Sequence, residues 1–236
     1  MRGMSRVRLS EYKAKQLLLG EKYSGIQLRS GMPMNIPDGH FVAKVDQGVK
    51  KRYKQGLLVI DKSPEETAAA IKSWEEKGFS QFVLEPLFQL DQTEEQYISF
   101  ERVRDGIRMM HTKDGGVDIE SHPEAVQQYL ISGAHNIQKV AEQSGVPEVL
   151  LASVLEHFQK HFFAFLEINP LVVRDGESHL LDAALLVDSA GEFFARGAWT
   201  DADIIKQKSK HAVEDEVEAL AATTPASLKL SVINPD

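Results

Sequence analysis

The chain has 236 residues, of which 42% are hydrophobic and 26% charged, enough to bury the core of one large domain or of two lobes. It contains no cysteine, which excludes disulfides, thiolate nucleophiles and zinc–thiolate sites and is typical of a cytoplasmic protein. No apolar run approaches 18 residues and no signal peptide is recognisable at the start, so we expect no membrane association.

Positive charge is concentrated at the start of the chain. Residues 1–56 carry 12 Lys or Arg against four acidic residues, whereas the rest of the chain carries 15 against 31. A basic segment on an acidic body favours a small anionic ligand, and we expect no nucleic acid partner.

The basic segment contains a predicted helix, a predicted strand and a glycine-bracketed run of cations. A helix is expected from Ser10 to Leu19, followed by a strand from Phe41 to Val45 in which Lys44 interrupts an apolar run. Lys44 fits two interpretations equally well, an exposed lysine at a strand edge or a phosphate-binding cation on a rigid element. The basic segment Gly48 to Gly56 resembles either a flexible flap over phosphates or a solvated turn, and it is not a P-loop.

The middle of the chain predicts strands and helices in succession. Helix starts are indicated by capping boxes at Ser63–Glu66 and Ser121–Glu124, and Pro86 turns the end of a strand into a connector. His157 and His161, four apart on a predicted helix, are interpreted as structural histidines. Further elements are expected as strands at 57–60, 81–88, 93–102, 106–111 and 226–236, and as helices at 63–76, 121–144, 147–162 and 201–210.

A hairpin is expected around Asp175-Gly176, because this dipeptide lies between two apolar, β-branched runs. With a two-residue turn, the register pairs Asn169 with Asp182 on the same side of the ladder. An amide and a carboxylate oxygen side by side suit Mg²⁺. The alternative is two polar residues on a solvated face, but the apolar neighbours indicate a mostly buried hairpin in which polar groups need partners. Pro170 could shift the register through a bulge.

Seven short motifs, in chain order, resemble the ATP-grasp family in the form shared by the β subunit of succinyl-CoA synthetase and by ATP-citrate lyase. The motifs are Val42–Gln47, Lys50–Arg52, Leu84–Leu87, Glu94–Tyr97, Gly115–Asp118, Leu166–Leu171 and Leu181–Ala183. Residues 44–47 and the ending at 226–235 are more similar to ATP-citrate lyase than to the synthetase.

The resemblance implies an α+β ATP-grasp fold with two lobes enclosing a nucleotide cleft. The ATP-grasp domain would span residues 1–225, with a smaller lobe at about 23–97 and a larger lobe formed by 1–22 and 98–225. Residues 226–236 would begin a following segment or domain. A single doubly wound parallel sheet would contradict this prediction.

The resemblance also implies roles for particular residues. Lys44 and Arg52 would hold ATP phosphates, and Asn169 and Asp182 would carry Mg²⁺. The remaining contacts would come from the connector Glu85, Pro86 and Phe88 to the adenine, and from Glu95 to the ribose. The family usually has glycine where Tyr53 stands, and tyrosine does not readily adopt the positive φ that close backbone contact to phosphate would use.

Members of this family pass a phosphoryl group from ATP to a histidine and then to a carboxylate, and CoA captures the acyl phosphate. The histidine and the CoA and citrate sites lie in a partner subunit or C-terminal segment of the family, so no catalytic residue is expected in this chain. The implied function is the ATP-binding part of an enzyme that cleaves citrate to acetyl-CoA and oxaloacetate. The alternatives are a succinyl-CoA-synthetase-like β subunit and a catalytically dead nucleotide-binding module.

Overall fold

The computed structural model describes residues 6–49, 51–113 and 123–205, together with Glu216, Val217 and Leu220. The predicted glycine-rich loop of the motif at 115–118, the strand at 226–236, and Lys50 of the basic segment lie outside the described residues. Within the described ranges, no helix is long and apolar enough to span a bilayer.

The described chain forms eleven strands and four α-helices. The strands are β1 (Arg6–Leu9), β2 (Ile26–Arg29), β3 (Phe41–Val45), β4 (Leu58–Ile60), β5 (Gln81–Pro86), β6 (Gln96–Val103), β7 (Gly106–Thr112), β8 (Gln127–Ile131), β9 (Phe163–Arg174), β10 (Glu177–Leu180) and β11 (Ala183–Asp188). The helices are α1 (Glu11–Leu19), α2 (Pro64–Glu76), α3 (Ile137–Ser144) and α4 (Glu148–Lys160).

The strands form two antiparallel sheets. The larger has the order β1-β11-β9-β6-β7-β8, with β10 also paired to β9, and the smaller has the order β2-β5-β3-β4. Neither is a doubly wound parallel sheet, the result that would have contradicted the predicted fold. The lobe boundaries themselves remain a prediction.

Each sheet has its own hydrophobic core. The larger sheet buries Phe100 and Leu166 in one cluster with Leu151 and Phe158 of α4. The smaller sheet buries Phe82 in a second cluster with Ile71 and Trp74 of α2. The two cores are therefore separate, and residues that join the two sheets must do so largely through polar contacts.

Helix α1 lies where the two sheets approach each other. Its N-cap is Ser10, whose hydroxyl accepts a hydrogen bond from the Lys13 amide. The Asp46 carboxylate, just beyond β3, accepts hydrogen bonds from the amides of Glu11 at 2.5 Å and Tyr12 at 2.9 Å. The smaller sheet thus supplies acceptors for the first turn of a helix that precedes it in the chain, where helices leave amide donors unpaired.

Two predicted helices are wrong in whole or in part. The helix expected over 121–144 is replaced by the 3₁₀ turn Pro123–Ala125, strand β8 and the shorter helix α3. Pairing of β8 with the edge of β7 buries Ile131, and this tertiary contact outweighs the local capping signal. The helix expected over 201–210 begins as a 3₁₀ turn, Asp201–Asp203, and residues 206–210 lie outside the described part.

Candidate functional site

A cavity of about 340 Å³ lies between α1, the basic segment after β3, and strands β9 and β11. Its cationic lining comes from Arg8, Lys51 and Arg52, and its anionic lining from Glu11, Asp46, Glu167 and Asp182. Asn169 also lines it. Among the residues implied by the resemblance, the cavity therefore brings together Arg52, Asn169 and Asp182.

The hairpin has the predicted register. The pairs Arg174 with Glu177 and Leu171 with Leu180 hold along β9 and β10, and both Asp175 and Gly176 have positive φ, as a type I′ turn requires. The same register continues to β11, where the Asn169 amide donates to the Asp182 carbonyl at 3.1 Å. Pro170 does not displace it, because its carbonyl accepts from the Leu181 amide at 3.1 Å.

Asp182 is neither buried nor unpaired. Its side chain is 45% exposed, and its Oδ2 lies 2.7 Å from Nη2 of Arg52. The expectation of a mostly buried hairpin is therefore wrong at this position, which lies between β10 and β11 and borders the cavity. The partner that a polar group at this position needs is the guanidinium of Arg52.

Arg52 is held by three acceptors. Nη1 donates to the Val45 carbonyl at 2.9 Å, and Nη2 lies 2.7 Å from both Glu11 Oε2 and Asp182 Oδ2. Burial alone would lower the pKa of Arg52, but the charges of Glu11 and Asp182 outweigh it and raise that pKa. The guanidinium is thus a permanent cation at the cavity wall.

Lys44 is buried in a cluster that adjoins the cavity. Its Nζ lies 2.6 Å from Glu11 Oε1, 2.8 Å from Glu85 Oε2 and 2.7 Å from the Leu181 carbonyl. These contacts use the three donors of an ammonium group. Lys44 is therefore buried, which rules out the exposed surface lysine, and its role in binding phosphate remains a prediction.

Lys15 repeats the pattern from α1. Its Nζ lies 2.8 Å from Glu11 Oε1, 2.8 Å from Glu85 Oε1 and 2.9 Å from the Leu181 carbonyl. The Tyr23 hydroxyl also donates to Glu85 Oε1, at 2.8 Å. Two lysines therefore share two carboxylates and one carbonyl, and Glu85 is engaged by side-chain contacts with this cluster.

Glu11 connects the cluster to the cavity. Burial would raise the pKa of Glu11, but the charges of Lys15, Lys44 and Arg52 hold it well below its usual range. The pKa of Asp46 shifts in the opposite direction. Burial and the charge of Glu11 raise the pKa of Asp46 to about 6, against the opposing effect of the two amide donors.

The other residues implied by the resemblance do not line the cavity. Pro86 ends β5 on the surface, and the Phe88 ring packs against His179 with centroids 4.5 Å apart, under the guanidinium of Arg174 at 4.6 Å. Glu95 is partly buried, which raises its pKa. Roles of these residues in adenine or ribose binding remain predictions.

Tyr53 does not have the positive φ that close backbone contact to phosphate would use. It begins a 3₁₀ turn, Tyr53–Gln55, and its side chain is 76% exposed. In the described part of this segment, the positive φ values belong to Gly48 at 71°, Lys51 at 55° and Gly56 at 64°. The tyrosine therefore imposes no strain on the backbone that borders the cavity.

Sequence reasoning did not single out Glu11, Lys15 or Asp46 as site residues. The spacing of Glu11 and Lys15, four apart at the start of a short helix, was a signal for an ion pair. Nothing in the sequence shows that this pair is buried against residues about 70 and 166 positions away, as the contacts of Lys15 with Glu85 and Leu181 require.

The site offers few side chains to a metal ion. Among the described residues, no group of three His, Asp or Glu side chains could together hold one. Asn169 and Asp182 nevertheless provide two hard oxygen donors on one cavity wall. That donor set fits Mg²⁺, which commonly takes one or two protein ligands and completes its shell with water and phosphate oxygens.

Comparison with known proteins shows similarity to ATP-citrate synthases. The chain is 29% identical over 220 residues to the ATP-citrate synthase of Mus musculus, covering 82% of this chain and 20% of the relative. It is 25% identical over 270 residues to ATP-citrate synthase alpha chain protein 2 of Arabidopsis thaliana, covering 98% of this chain and 63% of the relative. The chain thus spans less than two thirds of these curated relatives. No family model matches it.

Solved structures share the fold. ATP citrate lyase from Methanothrix soehngenii, in complex with citrate and coenzyme A, superimposes with a TM-score of 0.71 at 20% identity, covering 98% of this chain and 64% of that one. A dinucleotide-forming acetyl-coenzyme A synthetase of Ca. Korarchaeum cryptofilum gives a TM-score of 0.59 at 14% identity, covering 77% of this chain and 93% of that one. The predicted α+β fold and the resemblance to the ATP-grasp portion of ATP-citrate lyase are therefore confirmed.

Proposed function

We propose that this chain is the ATP-binding part of an enzyme of the ATP-citrate lyase type, supplying phosphoryl groups for ATP- and CoA-dependent cleavage of citrate. The observation that carries the proposal is the cavity in which Arg52 meets Asn169 and Asp182. A cation for phosphate and two oxygen donors for Mg²⁺ face the same space, as phosphoryl transfer requires. The similarity to ATP-citrate synthases supports the same assignment.

Each residue has a distinct task in this proposal. Arg52 binds phosphate oxygens, for which its planar guanidinium offers paired donors. Asp182 and Asn169 hold Mg²⁺, which when bound supplies positive charge to the phosphate oxygens during transfer. The Glu11 carboxylate bridges Lys44 and Arg52, so Lys44 adds positive electrostatic potential behind the Arg52 guanidinium.

The rest of the chemistry lies outside this chain. A phosphohistidine, the CoA site and the citrate site would be supplied by a partner subunit or by the further length that the relatives possess. The chain alone should therefore bind ATP without turning over citrate.

The direct test is calorimetric titration of this chain with ATP in the presence of Mg²⁺. We expect saturable binding that Arg52→Gln weakens by roughly 1.5–3 kcal/mol, typical of a charge-assisted hydrogen bond. Lys54→Gln is the matched control, since Lys54 is an exposed cation of the same segment that does not line the cavity. The control should leave the affinity unchanged.

Adenosine separates phosphate recognition from a structural role. Because it lacks phosphates, wild type and Arg52→Gln should bind it alike. Absence of ATP binding with and without Mg²⁺ would refute the proposal, and ATP binding that does not depend on Mg²⁺ would favour the dead nucleotide-binding module. If ATP binds, a coupled CoA-thioester assay of the complete enzyme with citrate or succinate decides the acid.

A further inference from the structure

We infer that Asp182 determines which form of the nucleotide the site accepts, by occupying Arg52 until a cation draws its carboxylate away. Building on the proposed function, this inference means that the site rejects polyphosphate that carries no metal. It assigns Asp182 a selective role in addition to that of a cation ligand.

The donors of Arg52 are the first step. Its Nη2 carries two N–H groups, and the two carboxylate oxygens at 2.7 Å, from Glu11 and Asp182, account for both. One of the two N–H groups of Nη1 donates to the Val45 carbonyl. A phosphate oxygen that approaches Nη2 from the cavity must therefore replace a carboxylate.

The two carboxylates differ in how firmly they are held. The Glu11 side chain is 3% exposed and pairs with Lys15 and Lys44 as well as Arg52. The Asp182 side chain is 45% exposed and lies on the segment between β10 and β11. Displacing Glu11 would leave the buried Lys15 and Lys44 with Glu85 as their one remaining carboxylate among the described residues, whereas displacing Asp182 returns a carboxylate to water or to a cation.

Charge balance points the same way. Within the ion-paired cluster, the cations Lys15, Lys44 and Arg52 face three carboxylates: the buried Glu11, the partly buried Glu85 and the half-exposed Asp182. While Asp182 stays on Arg52, the cluster offers no excess positive charge to an anion. Once Asp182 turns to a cation, one positive charge faces the cavity, next to the departing carboxylate and its metal.

A polyphosphate without metal has to break the ion pair and also meets the displaced carboxylate at close range. Both costs disappear when the carboxylate is neutralised by substitution. Asp182→Asn should therefore bind metal-free ATP more tightly than wild type, although it loses the anionic cation ligand. This gain of affinity is the opposite of what the loss of a simple metal ligand or a structural residue would produce.

The experiment measures ATP affinity in excess EDTA for wild type, Asp182→Asn, Arg52→Gln and the double variant. We expect Asp182→Asn to bind metal-free ATP about tenfold more tightly, the effect of roughly one charge-assisted contact. In the Arg52→Gln background the gain should fall below about threefold, because the substitution then removes only the repulsion by the carboxylate and no ion pair. Asp182→Ala, which also releases the arginine, should reproduce the gain and guards against an effect peculiar to asparagine.

The matched control is Glu167→Gln, which removes a negative charge from the same cavity wall at a residue that hydrogen-bonds Tyr97. Its gain should stay below about threefold, the share due to general electrostatics. Equal gains for Asp182→Asn and Glu167→Gln, or a gain that stays about tenfold without Arg52, would overturn the inference. Wild-type binding of Mg²⁺–ATP in such a case leaves the proposed function intact, whereas loss of all ATP binding refutes both.

Discussion

Lys15→Met should destabilise the fold far more than its position on a nine-residue helix suggests. The Lys15 side chain is 1% exposed, and its ammonium joins Glu11, Glu85 and the Leu181 carbonyl. Removing one partner of a buried ion pair typically costs 3–5 kcal/mol because the other charge stays buried. Here Lys44 continues to pair with both carboxylates, so we expect a loss of about 2–4 kcal/mol.

The assay is urea unfolding at pH 7, with the free energy of unfolding extrapolated to water. Lys13→Met on the same helix is the control, because among the described residues the Lys13 ammonium meets just Gln16 at 3.3 Å and Asp203 at 3.8 Å. We expect it to cost less than about 1 kcal/mol. Adding Glu85→Gln to Lys15→Met should recover part of the loss, since it removes the negative charge that is then in excess around Lys44. Equal stability of the two lysine variants would refute the assignment of the cluster as an energetic link between the sheets.

Three further substitutions test other parts of the structure. Burial and the charge of Lys113 lower the pKa of His111 to about 4. The stability that neutral His111 contributes to the fold is therefore present above pH 6.5 and is lost as the pH falls toward 4. Between pH 7 and pH 5, His111→Gln should lose less stability than wild type by roughly 1–2 kcal/mol, and equal losses would contradict the pKa. Ser63→Ala removes the cap of α2 and should cost about 1 kcal/mol in urea unfolding, whereas Ser73→Ala on the exposed face should cost nothing. Gly176→Ala should cost about 1 kcal/mol through its φ of 78° alone, because an added Cβ meets no atom within 4 Å, and an unchanged melting temperature would argue against the turn.

The parts of the fold that the sequence predicts well depend on local chemistry. The Asp175-Gly176 turn fixed the pairing of Asn169 with Asp182, since strand register follows from the turn once its length is known. The capping box at Ser63 likewise gave the start of α2. The same signature at Ser121 failed, because pairing of β8 with β7 buries Ile131 and decides the structure there.

The candidate site divides along the same line. Asn169, Asp182 and Arg52 were named from motifs, and the cavity brings them together. The residues that form the ion pairs beside the cavity were not named from the sequence. Glu11 contacts Lys44 across 33 positions, and Lys15 contacts Glu85 across 70. No periodicity or spacing rule relates residues so far apart, and the sequence therefore predicts which residues belong to the cavity better than it predicts the contacts that hold them.

Stability alone does not account for the buried ionic cluster. Well-packed apolar side chains of similar volume often stabilise a protein as much as a buried ion pair does, because the charges lose their hydration. Yet this cluster places three cations and two carboxylates where α1, β3 and β5 meet, directly behind the cavity wall. Apolar substitutes could hold the sheets together, but they could not fix Arg52 through Glu11 or supply positive potential to the cavity. Helix α1, whose first turn is itself held by Asp46, is by this reasoning part of the binding site.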